Sequence, residues 1–202
     1  MQRLWPGICF CGVVSVSMAA QADPTVFNAS IAGAGTCAIG FTPAGTLTLD
    51  STSASSAIDA TVPPVLSIKK TTLTFTGCTG WSGGLTPTLT VSGATSADNA
   101  VPTDRVYLLK SAGAAGGTSK GFGFVMGKAT NGQITWGTGS TGIYSFAAPV
   151  DISLAAAGTT LAENTTKDIY FGLSCGTATG CARENVNAGT LSAALTFTFS
   201  YK

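Results

Sequence analysis

The sequence predicts an all-β sandwich, and three observations support the prediction. Apolar residues alternate with Thr and Ser in many short segments, and a period of two is that of a β-strand. Turn-forming residues separate these segments, and 26 of the 202 residues are Gly. No segment sustains the 3.6-residue period of a helix, since Ala155-Ala156-Ala157 is too short. About ten strands separated by turns indicate a sandwich, in one domain without a linker or a repeat.

The predicted strands are short, and most of them end at turns that contain Gly or Asn. Asn131-Gly132 is predicted to form a hairpin turn between Lys128 and Ile134, because both turn residues tolerate positive φ. The last strand is the longest, and its alternation continues unbroken to Tyr201. In chain order the strands are predicted at residues 25–33, 46–49, 72–76, 88–92, 105–110, 121–126, 133–136, 143–146, 150–154, 168–173 and 191–201.

Residues 1–22 are predicted to be a secretory signal peptide. Arg3 supplies the positive start, residues 8–16 form a short apolar stretch, and Ala20-Gln21-Ala22 fits a cleavage site. The stretch is too short to span a bilayer, which takes about 20 apolar residues. Cleavage would export residues 23–202 with nine basic and nine acidic side chains. The alternative is an uncleaved N-terminal anchor.

Charged residues make up only 9% of the chain, the net charge is +1, and there is no His. The lack of His excludes His-containing catalytic triads, His-ligated zinc and imidazole pH switches. No basic run exceeds Lys69-Lys70, so nothing predicts nucleic-acid binding. The acidic residues show no paired spacing suited to general acid–base catalysis, so we predict neither an enzyme nor a cofactor. They include Asp98, Asp104, Asp151, Glu163, Asp168 and Glu184.

Four cysteines remain after the predicted cleavage, and export favours disulfides. A zinc site needs ligands at paired short spacings, and only Cys175 and Cys181 lie close together. Four cysteines allow three pairings, and the sequence alone does not decide among them. We favour Cys37–Cys78, which closes a loop of about 42 residues, and Cys175–Cys181, which closes about 7.

The two ends of the exported chain both carry alternating segments. The last strand places Leu191, Leu195, Phe197, Phe199 and Tyr201 on one face and mostly Thr and Ser on the other. The leading segment alternates in the same way through Thr25, Phe27, Ala29, Ile31 and Gly33. A long apolar strand at an open sheet edge would be prone to association. Either both segments are ordinary first and last strands of one closed sandwich, or the leading strand serves another molecule.

Several motifs together resemble the periplasmic chaperone–usher pilins. Residues 35–39 are similar to the first-cysteine region of that family, and residues 73–78 to its second-cysteine strand. Residues 121–126 are similar to its mid-domain strand. Tyr201 is the penultimate residue and Gly189 is the fourteenth from the end, an arrangement that resembles the family's chaperone-recognition motif. With the signal peptide, the resemblance spans nearly the whole exported chain.

The resemblance implies an immunoglobulin-like sandwich over residues 36–202 that lacks its final strand. Residues 23–35 would be an N-terminal extension whose donor residues are Phe27, Ala29 and Ile31. The chaperone, and later the next subunit, would complete the groove along the last strand by β-augmentation. The C-terminal carboxylate at Lys202 would suit capture by chaperone cations. The groove residues implied are Gly189, Leu191, Leu195, Phe197, Phe199 and Tyr201.

In function, the resemblance implies a structural subunit of an adhesive surface fibre. Its partners would be identical or related subunits, a periplasmic chaperone and an outer-membrane usher. Head-to-tail contacts of this kind do not close, so they generate a filament. The chain departs from the family in its extra Cys175–Cys181 pair and in a short leading segment without a clear donor-strand Gly.

A minor or tip subunit that binds a glycan receptor is the alternative function. Trp81, Trp136, Tyr107 and Tyr144 could supply stacking faces for sugar rings, although packing of these side chains at the core or the sheet edge is the commoner role of such residues. Adhesins of the family carry a lectin domain in addition to a pilin domain, whereas residues 23–202 suffice for one domain. We therefore expect a shaft subunit.

Overall fold

The computed structural model describes residues 26–31, 35–79, 83–136 and 142–202. The predicted signal peptide lies outside this part of the chain, as do Thr25, Gly33 and Trp81. The described residues form eight strands: β1 Val26–Ile31, β2 Thr36–Thr42, β3 Leu66–Thr79, β4 Pro87–Gly93, β5 Gly123–Met126, β6 Val150–Ser153, β7 Thr165–Ser174 and β8 Ala194–Tyr201.

These strands form two four-stranded sheets, which confirms the predicted all-β sandwich. One sheet has the order β1-β8-β4-β6, and the other has the order β2-β3-β7-β5. The neighbours within both sheets are antiparallel, except that β1 runs parallel to β8. One hydrophobic cluster draws its buried side chains from strands of both sheets, so the core lies between them.

The alternation of β3 shows why these segments become strands. Leu73 and Phe75 are fully buried, whereas Thr72, Thr74 and Thr76 are half-buried on the other face. A period of two places successive side chains on opposite faces of a sheet. Each fully buried Leu or Phe contributes about 1.5–3 kcal/mol of hydrophobic stabilisation.

Four predicted strands are wrong, because each of these segments forms isolated bridges at one residue or none. Residues 46–49 and 133–136 are irregular, and of residues 143–146 only Ile143 forms a bridge, with Gly127. Among residues 105–110, Leu109 alone forms isolated β-bridges, one with Thr95 and one with Phe124.

Helical turns occupy places where the sequence predicts none. Pro102–Arg105 forms a single turn of α-helix, α1, and Pro at its first position suits a helix start. The 3₁₀ turns span Ala54–Ser56, Gly113–Gly116 and Arg183–Asn185. Within the described residues, no helix is long and apolar enough to cross a membrane.

The predicted hairpin at Asn131-Gly132 is also wrong, although a turn is present there. Gly132 has a φ of +78°, but Asn131 is not in the left-handed region. The side chain of Asn131 instead accepts a hydrogen bond from the Gln133 N–H at 3.1 Å. A local Asx turn thus replaces the two-residue hairpin, which requires positive φ at both positions.

Both favoured disulfides are present. Cys37–Cys78 joins β2 to β3, and Cys175–Cys181 closes the loop that follows β7. Two buried polar side chains also form hydrogen bonds with that loop. The Asn99 amide donates to the Cys175 carbonyl at 2.8 Å, and the buried Asp104 carboxylate accepts from the Thr177 N–H at 2.7 Å.

Candidate strand-docking edge

The last strand has one buried face and one polar face, as its sequence predicts. Leu195, Phe197, Phe199 and Tyr201 are all buried. The alternate residues of β8 are exposed at Ala194 and half-buried at the Thr and Ser positions. The strand itself starts at Ala194, three residues later than predicted, because Ser192 bonds to a neighbouring loop. Its N–H donates to the Gly116 carbonyl at 3.1 Å, and its carbonyl accepts from the Ser111 N–H at 2.9 Å.

Aromatic contacts fix the buried face of β8 against both sheets. Phe197 meets Phe41 of β2 edge-on, with ring centroids 5.3 Å apart. Phe199 lies 6.0 Å from Phe75 of β3 and 5.2 Å from Tyr201, again between centroids. Such pairs contribute about 0.5–1.5 kcal/mol beyond the burial of their area. Because these rings bridge the two sheets, β8 is held in place on its core side.

The two edges of β8 have different neighbours. On one side it pairs antiparallel with β4, from Pro87 opposite Tyr201 to Gly93 opposite Leu195. On the other side it pairs parallel with β1 over residues 194–199. The register sets Phe27, Ala29 and Ile31 opposite Leu195, Phe197 and Phe199. The structure therefore brings the three predicted donor residues beside three predicted groove residues, within one chain.

The connection into β2 begins with a close contact at Gly35. A Cβ atom built there would lie 2.5 Å from Cε2 of Tyr201 and 2.7 Å from the Thr79 carbonyl oxygen. Only a residue without a side chain allows this approach. Two residues later, the buried Cys37 is bonded to Cys78 of β3. The start of β2 is therefore fixed by a close packing contact at Gly35 and by a disulfide at Cys37.

A groove lies where the chain enters β8. Its walls are residues 47–52 on one side and residues 189–191 on the other, and its volume is about 300 Å³. Leu47 and Leu49 also approach Leu195 around a small apolar gap. Gly189 and Leu191, both predicted groove residues, thus line the groove but lie outside β8. Residues 47–49, which belong to the strand predicted at 46–49, form part of the opposite wall.

Asp50, paired with Lys69, lines the groove, and a second ion pair lies at the C-terminal end of β8 on the side of β4 and β6. Lys202 Nζ lies 2.7 and 2.8 Å from the two carboxylate oxygens of Asp151, and the Thr90 hydroxyl donates to Asp151 at 2.6 Å. The hydrogen bond from Lys202, and to a smaller extent the one from Thr90, lowers the pKa of Asp151 below its usual value. The backbone of Lys202 also pairs with Thr86, its N–H donating at 3.0 Å.

Three of the four aromatic residues considered for glycan binding are described by the structure, and none of these three lines the groove. Tyr107 and Trp136 meet edge-on with centroids 6.0 Å apart, and both pack against the buried cluster that contains Leu108 and Ile143. Tyr144 is half-buried beneath Lys128, whose Nζ lies 5.7 Å from the ring centroid. Trp81 is outside the described residues. Tyr107 and Trp136 therefore pack at the rim of the core.

Among the residues that the structure describes, no group of His, Cys, Asp or Glu side chains could hold a metal ion. No protein-family model matches the chain, and no curated protein matches it.

Proposed function

We propose that this chain is a structural subunit of a chaperone–usher fimbria, which polymerises by exchange of its leading strand to form an adhesive surface fibre. In this proposal, residues 23–35 of one subunit complete the sheet edge at β8 of the next. The sandwich is of the immunoglobulin-like pilin type, and it is incomplete without that strand.

The observation that carries the proposal is the way in which β8 is completed. The strand beside it is the leading segment, which pairs through six residues in parallel register. A groove between residues 47–52 and 189–191 lies where the chain enters β8. An added strand supplies backbone hydrogen bonds, and its alternate side chains fill pockets. A segment from a second copy can do the same at this edge.

The physical need for such a strand follows from the residues of β8. Without β1, this edge would expose unpaired backbone groups next to the buried rings of Phe197 and Phe199. Exposed edges of this kind associate with other chains. A periplasmic chaperone that lends a strand would keep the subunit soluble until an outer-membrane usher passes it to the fibre. This supports the partners proposed from the resemblance.

A reversible lock tests the proposal. Ser30 and Thr198 are register partners in the β1–β8 pair, so Ser30→Cys with Thr198→Cys can form a disulfide that fastens the chain's own strand to β8. We expect the oxidised double variant to remain monomeric in the presence of chaperone and usher. Mild reduction, chosen to spare the buried disulfide Cys175–Cys181, should restore fibres, as seen by electron microscopy.

Single Cys variants at the same two positions provide the matched control, since they carry the substitutions without the lock. They should polymerise like the unmodified chain after alkylation. Fibres formed equally well by the locked chain would contradict the proposal, because the strand would then not need to leave its own β8.

A further inference from the structure

The turn at Asn131-Gly132 takes no part in the proposed function, and it is the one place in the sequence where Asn precedes Gly. The other five asparagines precede Ala, Thr or Val. Asn is among the thermolabile residues of proteins, because its side-chain amide can react with the peptide nitrogen of the next residue. A following Gly has no Cβ atom to hinder that approach. The fold then decides whether the two groups are able to react.

The fold leaves the nitrogen of Gly132 accessible. Asn131 is exposed, and Gly132 is half-buried. Within the described part of the chain, no group accepts a hydrogen bond from the Gly132 N–H. The proton on this nitrogen can therefore pass to water without the loss of a hydrogen bond inside the protein.

The Asx turn orients the side-chain amide for the reaction. Oδ1 of Asn131 accepts a hydrogen bond from the Gln133 N–H at 3.1 Å, and the ring that this bond closes contains both Asn131 Cγ and the Gly132 nitrogen. Groups held close together in this way react faster than free ones. The Gln133 N–H also donates to the oxygen on which negative charge develops when Cγ is attacked, as the donors of an oxyanion hole do.

Two other asparagines of the described chain are held differently. Asn99 is fully buried, and its amide donates to the Cys175 carbonyl at 2.8 Å. The amide of Asn185 donates to the Thr179 carbonyl at 2.8 Å, and the residue that follows it is the branched Val186. In both cases a hydrogen bond restrains the amide nitrogen that would have to leave. Sequence and fold together therefore favour Asn131.

We propose that Asn131 is a site of spontaneous deamidation in the folded chain. Water takes the proton of the Gly132 N–H, and the nitrogen forms a bond to Asn131 Cγ. The bond from Cγ to the side-chain nitrogen then breaks, so ammonia leaves and a cyclic succinimide remains. Water adds to either carbonyl carbon of the succinimide, which opens the ring to aspartate or isoaspartate. The net reaction converts the amide and one water into a carboxylate and an ammonium ion, and nothing is oxidised or reduced.

The reaction changes both the charge and the backbone of the turn. Residues 23–202 carry nine basic and nine acidic side chains, so the new carboxylate takes their net charge from zero to −1. Isoaspartate also lengthens the backbone by one carbon atom beside Gly132, where a Cβ atom would already lie 3.0 Å from Cε1 of Tyr170. The turn must therefore shift relative to Tyr170, which packs against the buried cluster that contains Ile134.

The test follows the oxidised chain, processed to residues 23–202, during long incubation at neutral pH. We expect isoelectric focusing to show a new species with one additional negative charge. Peptide mapping by mass spectrometry should place the exchange of amide for acid at residue 131, and an isoaspartyl methyltransferase should methylate the aged chain. Conversion of another asparagine in its place would overturn the proposal. So would an amide at residue 131 that persists after a synthetic peptide of residues 128–136 has been converted.

Two variants complete the test. Asn131→Gln is the matched control, because it keeps an exposed amide but needs a larger ring to react, so the acidic species should be absent. The paired variant Cys175→Ala with Cys181→Ala lowers stability without changing a residue of the turn, and it should convert Asn131 at the same rate as the unmodified chain. Faster conversion in this variant would show that the reaction requires unfolding, which would refute a site in the folded chain.

Discussion

The ring of Tyr201 lies against the backbone of Gly35, which brings the start of the sandwich into contact with the end of its last strand. A Cβ atom at position 35 would come within 2.5 Å of Cε2 and 2.9 Å of Cδ2. The Tyr201 hydroxyl is also engaged, because it accepts a hydrogen bond from the Leu161 N–H at 3.3 Å. The ring therefore has little freedom to move away from Gly35.

Gly35→Ala should destabilise the fold. The added methyl group overpacks the contact with a ring that is fixed at both ends, and overpacking costs about 1–3 kcal/mol. Urea unfolding of the oxidised protein measures the change. Gly40→Ala is the control, since the nearest atom to its Cβ would be the Thr74 carbonyl oxygen at 3.7 Å, an ordinary contact. Equal stabilities for the two variants would show that both the Tyr201 ring and the Thr79 carbonyl move away at little cost.

The two disulfides should contribute unequally to stability. Cys37–Cys78 spans 41 residues and Cys175–Cys181 spans 6. On the chain-entropy account, removing them costs about 4 and about 2 kcal/mol respectively. Paired Cys→Ala variants, compared by urea unfolding, measure both values. The reverse order would mean that native contacts around residues 175–181 outweigh loop entropy.

Stability should fall in acid partly through Asp98. Burial raises the pKa of this carboxyl, but hydrogen bonds from Lys110 and Ser96 outweigh it, so the folded pKa lies below its usual value of 3.8. The stabilisation is therefore complete above that value and is lost as pH falls through the lower, folded pKa. The unfolding free energies of the unmodified chain and of Asp98→Asn should converge as the pH is lowered below about 4.

Asp50→Asn is the matched control for this titration. Asp50 pairs with Lys69 at the surface, at 2.7 Å and with the Asp50 side chain 78% exposed. Exposed pairs of this kind contribute about 0–1 kcal/mol. A difference between the unmodified chain and Asp98→Asn that stays constant from neutral to strongly acidic pH would contradict the assignment to Asp98.

The sequence predicts a strand correctly where alternation coincides with a partner strand. Residues 72–76 and 195–201 alternate and lie inside β3 and β8, which have neighbours on both sides. Residues 46–49 alternate equally well but form a groove wall, because pairing depends on chain neighbours that local periodicity does not encode. The strand predicted at residues 105–110 is wrong for a related reason, since Pro102 starts a helical turn that ends at Arg105.

The candidate site was predictable to a similar extent. The alternation of Phe27, Ala29 and Ile31 and that of β8 identify the two strands that the structure places side by side. Their parallel register could not be read from the sequence, because alternation is the same in either direction. The groove could not be read from the sequence either, because its two walls, residues 47–52 and 189–191, come from distant parts of the chain.

A charge at the open end of the groove should block assembly without unfolding the chain. Leu191 is half-buried and lines the groove, so Leu191→Glu adds a carboxylate to a groove lined by the acidic Asp50 and by no cation. An unpaired charge is costly to bury, and an incoming strand would have to bury it. We expect fibre yield to fall at least about tenfold, since 1.4 kcal/mol suffices for that factor.

Val62→Glu is the control, because Val62 is 75% exposed and does not line the groove, so this substitution should change nothing. Fibre yield by sedimentation and stability by urea unfolding separate the two effects. Normal fibres from a folded Leu191→Glu chain would mean that incoming strands do not use this end of the groove.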